Sequence, residues 1–81
     1  MPTDEQISSA IAQTLKYFRG QKNLSQIALA EESGVHRTMI EKIEAMRRRP
    51  TMHTIYKLCG AMNLTVGEFS KRVDEVLDEL N

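Results

Sequence analysis

This sequence predicts an all-α fold, a bundle of five short helices, and three observations predict it. Apolar residues recur at helical spacing along the chain, whereas no run alternates β-branched and aromatic residues as a strand would. Capping residues (Thr3, Ser25, Thr51 and Thr65) stand just ahead of the periodic segments. Gly34, Pro50 and Asn63 punctuate the stretches between them.

The first helix is expected from about Asp4 to Arg19, ending near Gly20. Ile7, Ile11, Leu15 and Phe18 fall at i, i+4, i+8 and i+11, one face of a helix. Thr3 with Gln6 makes a capping box, and Asp4 and Glu5 occupy the first turn, where the helix dipole favours anions. The second helix is about seven or eight residues long. Ser25 caps it, Leu29 and Ala30 form its buried pair, and Ser33-Gly34 ends it, because glycine readily takes the left-handed conformation. Val35 follows the turn directly, and Met39, Ile40 and Ile43 make the inner face of a third helix. Pro50 forces Arg49 into an extended conformation and blocks helix continuation. Thr51 caps a fourth helix with the inner stripe Ile55, Leu58, Cys59 and Met62, closed by Asn63, which tolerates the left-handed region. Thr65 and Glu68 form another capping box. They open a fifth helix over about residues 65–80, with the stripe Phe69, Val73, Val76 or Leu77, and Leu80.

A chain of 81 residues holds one domain, residues 1–81, burying about 60–65% of its unfolded surface. A large substrate cleft does not fit that size. Hydrophobic residues at 41% and balanced charge exclude intrinsic disorder. No apolar run approaches the roughly 20 residues of a membrane span, and no signal peptide opens the chain. The single Cys59 excludes an internal disulfide and points to a reducing, cytoplasmic setting. Cys59 lies on a core-facing stripe without a partnering base, and His36 and His53 lack the spacing and companions of a metal site. No catalytic constellation is present, so neither an enzyme nor a metal or cofactor is expected.

The stretch from Gln26 to Ile43 carries the functional signal. Two helices joined by three or four residues must cross steeply. Ala30 supplies the small residue that such a crossing needs, Gly34 supplies the positive φ of the turn, and Val35, Ile40 and Ile43 pin the second helix of the pair to the core. The outer face then reads His36, Arg37, Thr38, Glu41 and Lys42. Arg, Lys and Thr hydrogen-bond base edges in a DNA major groove, whereas Glu41 either accepts from cytosine N4 or repels phosphate.

From about Leu15 to Phe69 the chain resembles the phage-repressor/Cro type of helix-turn-helix protein, the XRE family. The matching pieces are Leu15-Lys16-x-Phe18-Arg19, Lys22-x-Leu24-Ser25-Gln26-x-x-Leu29-Ala30 and Ser33-Gly34-Val35-x-Arg37. They continue in Ile40-x-x-Ile43-Glu44, Arg48-x-Pro50 and Thr54-Ile55, with Leu58 and Met62 to Thr65 behind. The resemblance implies a motif at about residues 25–45 in a lambda-repressor-like domain. It implies that Arg37, Thr38 and Lys42 read bases, while Gln26, at the start of the second helix, meets a phosphate. It also implies a buried salt bridge between Arg19 and Glu44. His36 stands where the family usually has Ser or Thr as a cap, and its imidazole is then a phosphate contact. Met46 stands where Gly commonly ends the third helix, so either the helix extends or the loop differs. Ile27 replaces a residue that is usually polar. Arg47, Arg48 and Arg49, directly after the recognition helix, are read as phosphate contacts.

The fifth helix is longer than the family's minimal fold needs, and Val73, Val76, Leu77 and Leu80 are expected to bury against a second copy of the chain. The expected function is therefore sequence-specific binding of a roughly palindromic double-stranded DNA operator by a homodimeric transcriptional regulator. The alternative is a protein-interaction module of the same fold, such as the antitoxin that binds a toxin. The formal net charge is zero, but residues 16–57 carry nine bases against four acids, and the acids dominate both ends. The basic middle coincides with the helix-turn-helix.

Overall fold

Five helices make up the computed structural model, which describes residues 1–80: α1 (Asp4–Gln21), α2 (Gln26–Ser33), α3 (Arg37–Glu44), α4 (Met52–Ala61) and α5 (Val66–Leu80). No strand occurs among the described residues. Each helix begins where a side chain satisfies its first N–H groups. Thr3 and Gln6 close a reciprocal capping box, as do Thr65 and Glu68 (2.9 and 3.0 Å). The Thr65 backbone and hydroxyl bonds, with the charge of Lys22, hold the Glu68 carboxyl below its ordinary range. Ser25 and Thr51 accept from Ala28 and Thr54.

The first four helices each lead into a left-handed residue. Gly34 (φ 73°) closes α2, and Asn63 (φ 56°) follows α4 as expected. Two other turns refine the expectation: α1 ends within a residue of Gly20, and of the two alternatives at Met46 it is the loop that differs. Helix α1 does not stop at Gly20; it runs to Gln21, and Asn23 (φ 55°) makes the turn. Asparagine tolerates this region through its short polar side chain, so the exposed glycine is not needed there. Met46 takes φ 63°, so α3 does not extend, and a methionine adopts the conformation a glycine would take more cheaply. At Gly34 an added Cβ would meet only the Lys57 side chain at 4.0 Å, an ordinary contact. The cost of Gly34→Ala therefore comes from φ alone. It is expected to be about 1–2 kcal/mol, seen as a lower urea midpoint at unchanged m. A wild-type midpoint would show that the turn tolerates a side chain at no cost.

One core lies between the helices, built from Leu15, Leu29, Val35, Ile40, Ile43, Ile55, Leu58, Cys59, Met62 and Phe69. Helix α1 packs on α3 and α5, α2 on α3 and α4, and α4 on α5. The α4 stripe is buried as its spacing implies. In α1 the buried positions are Ala10, Ala12, Thr14 and Leu15, whereas Ile7 is exposed and Ile11 and Phe18 are partly buried. Two partners, α3 and α5, clasp α1 from different sides, and its small residues let them approach. Ala30 is only partly buried, leaving Leu29 as the fully buried residue of α2. Ile27 remains exposed. Burial, and then the charge of Glu68, push the Cys59 thiol up to about 11, so it is a protonated core residue at neutral pH.

The expected second-copy surface on α5 needs one correction. Val76 is 3% exposed within a single chain, because α5 lies along α1 and covers it, so it does not belong to a surface awaiting a partner. Val73 packs against the core and Leu77 is partly buried, while Leu80 is 40% exposed beside Thr3, Gln6 and Ser9 of the opposite chain end.

Candidate nucleic-acid interface

The three-residue turn from Gly34 to His36 sets α3 across α2. Val35, Ile40 and Ile43 are buried, with Met39 packed against them, so the opposite face of α3 is held outward. His36, Arg37, Thr38 and Lys42 all lie exposed on that side. His36 caps the helix unconventionally: its ring Nδ1 accepts the Thr38 backbone N–H at 3.1 Å. A neutral imidazole accepting at Nδ1 carries its proton on Nε2, which is then a donor suited to a phosphate oxygen.

Beneath this face lies a polar network that spans three helices. Arg19 at the end of α1 grips Glu44 at the end of α3 with two parallel bonds, Nε to Oε2 at 2.8 Å and Nη2 to Oε1 at 2.9 Å. Its Nη1 donates to the Leu24 carbonyl at 2.9 Å. Gln26 at the start of α2 adds a bond from Nε2 to Glu44 Oε1 at 3.0 Å. The hydrogen bond to Glu44, opposed by burial and reinforced by the carboxylate charge, raises the Arg19 guanidinium above its ordinary range. That contribution to stability is fully present below the ordinary guanidinium range and fades only above it, so it is constant at neutral pH. The salt bridge implied by the resemblance is thus present. Gln26 is in a different situation from the one expected: its amide is turned to Glu44.

The arginine loop follows the Met46 turn. Arg47, Arg48 and Arg49 are exposed, and Arg49 Nη2 reaches Asp4 at 3.3 Å in an exposed pair of small energetic weight. Arg48, Arg49 and Pro50 line a groove against Asp4, Ile7 and Ser8 of α1. Arg37 Nη1 donates to Glu41 Oε1 at 2.8 Å, one helical turn along. The i, i+4 spacing of Arg37 and Glu41 is the signal from which that pair was legible.

A family model described as helix-turn-helix, HTH_3, matches residues 15–69. The chain belongs to the HTH_3 helix-turn-helix family. Among HTH_3-type relatives, the control protein C.SmaI of Serratia marcescens is 38% identical over 66 residues, which cover 82% of this chain and 79% of that protein. A crystal structure of an HTH_3 family transcriptional regulator from Vibrio cholerae superimposes with a TM-score of 0.79 at 33% identity. It is matched over 83% of this chain, which spans only 38% of that longer one. The restriction-modification controller protein C.Esp1396I, solved as a tetramer with its natural 35 base-pair operator, shares the fold. Its TM-score is 0.82 at 22% identity, over 88% of this chain and 93% of that one.

Proposed function

We propose that this HTH_3 protein is a transcriptional regulator that binds a roughly palindromic double-stranded DNA operator as a homodimer. The observation that carries this reading is α3 itself. Its apolar side is locked into the core while Arg37, Thr38 and Lys42 stand exposed on the other side, beside three exposed arginines. Arg37, Thr38 and Lys42 read base edges in the major groove; His36 and Arg47, Arg48 and Arg49 hold phosphates. Gln26 supports the phosphate contact of the α2 N-terminus from its anchored position. Relatives described as a control protein and a transcriptional regulator support the regulatory role. The role is one of binding rather than catalysis, and it places the protein in the cytoplasm. Among the described residues, no helix is long and apolar enough to cross a membrane. Self-association through α5 draws on Leu80 with the partly buried Val73 and Leu77.

Binding to a randomised duplex library tests the reading. Affinity is expected to fall steeply with salt as counterions are released from the phosphates. In the Arg37→Ala variant one base preference should relax by about 1–3 kcal/mol. Arg48→Ala should weaken all sequences about equally and lower the salt slope by about one. No binding at low salt would overturn the DNA reading, and an unchanged selected sequence for Arg37→Ala would overturn the assignment of α3.

A further inference from the structure

A helix turns about 100° per residue, which puts Glu41 on the DNA-facing side of α3, between Arg37 and Thr38 around the helix axis. A carboxylate there is unfavourable by itself, since it faces the phosphates of any bound duplex. Its partner explains its place. Glu41 Oε1 accepts from Arg37 Nη1 at 2.8 Å, and both side chains stay partly in solvent, at 42% and 51% exposure. Among the described residues Arg37 makes no other hydrogen bond within the chain, so Nε and Nη2 remain available as donors. Guanine presents its O6 and N7 acceptors side by side, and a guanidinium matches them with two parallel donors. An unrestrained arginine loses much side-chain freedom on adopting that pose.

We propose that Glu41 is a positioning and specificity residue: it holds the Arg37 guanidinium in one orientation before DNA arrives and so sharpens its preference for guanine. This rests on α3 being the base-reading helix. Glu41 contacts no base itself. Its negative charge also penalises sites at which Arg37 lacks a guanine, because the carboxylate then faces DNA without compensation from a bidentate base contact.

The test combines in vitro selection with binding titrations on the wild type, Glu41→Ala, Glu41→Gln, Arg37→Ala and the double variant Arg37→Ala/Glu41→Ala, with melting curves to establish folding. Glu41→Ala is expected to reduce guanine discrimination at the one position of each half-site that Arg37→Ala also relaxes, by about tenfold. Binding to non-cognate duplex should rise slightly. Glu41→Gln, which keeps an acceptor oxygen, should retain part of the discrimination. The double variant should discriminate no worse at that position than Arg37→Ala alone. Relaxation at a different base pair, surviving in the Arg37→Ala background, would show that Glu41 reads a base and would overturn the proposal. So would a tighter-binding Glu41→Ala with an unchanged selected sequence, which marks simple phosphate repulsion. In both cases Arg37→Ala still alters the sequence selected. If it does not, the recognition-helix reading itself fails, and the proposal falls with it.

Discussion

Replacing Arg19 by methionine is expected to destabilise the fold by about 3 kcal/mol. For a domain of this size that corresponds to a melting temperature lower by about 12–25 °C. The size of the effect follows from what is left behind. The Glu44 side chain is 4% exposed, and two of its hydrogen bonds come from Arg19. Without that guanidinium it keeps the neutral Gln26 amide, which does not balance a buried charge. Arg19 is 22% exposed itself, so some solvent screening sets the value at the lower end for buried pairs. The double change Arg19→Met/Glu44→Met should recover a large part of the loss, because removing both charges also removes the desolvation cost of each. Urea denaturation of the wild type, Arg19→Met, Glu44→Met and the double variant gives the coupling directly. Additive losses would show that the pair is energetically independent despite its geometry.

Leu29→Ala is expected to cost a similar amount, about 3 kcal/mol, by a different mechanism. Helix α2 has eight residues, too few to hold together by its own hydrogen bonds, and Leu29 is its fully buried residue, at 0% exposure. It joins the core cluster with Val35, Ile40 and Leu58, so truncation opens a cavity where α2, α3 and α4 meet. A chain of 81 residues has a net stability of about 4–12 kcal/mol, so the variant loses a substantial part of it. Its urea midpoint should fall accordingly while m stays unchanged. A loss below about 1 kcal/mol would mean that the neighbouring helices close over the gap.

Much of this molecule was legible in its sequence. All five helices form, and four of them are capped by the residues singled out, because Ser, Thr and the Thr-x-x-Glu/Gln pairs act within one turn and need no tertiary context. Helix α3 is capped instead by the His36 ring, which the resemblance casts as a phosphate contact. The Arg19–Glu44 bridge followed from resemblance, since no local rule links positions so far apart in the chain. The failures came from tertiary geometry. Periodicity assumed one buried face for α1, but two helices pack on it, so Ala10, Ala12 and Thr14 are buried and Ile7 is not. The apolar stripe of α5 reads equally well as partner-facing or core-facing, and only the antiparallel course of α5 along α1 shows that Val76 is already covered. At the candidate interface, the exposed arginines and lysine were predictable from the motif, whereas the engagement of Gln26 with Glu44 depends on how α2 and α3 meet.

The Arg19–Glu44–Gln26 network also bears on how this protein meets a duplex. It ties the end of α1, the start of α2 and the end of α3 into one hydrogen-bonded unit. On the proposed reading of α3 as the base-contacting helix, its exposed face is therefore assembled when the chain folds, and the bonded network leaves it little freedom to tilt on its own. Under that proposal any adjustment of fit falls on the other partner: where half-site spacing or groove width does not match the rigid face, the expected outcome is that the DNA bends or twists. Base pairs that no side chain touches then contribute to operator choice through their stiffness.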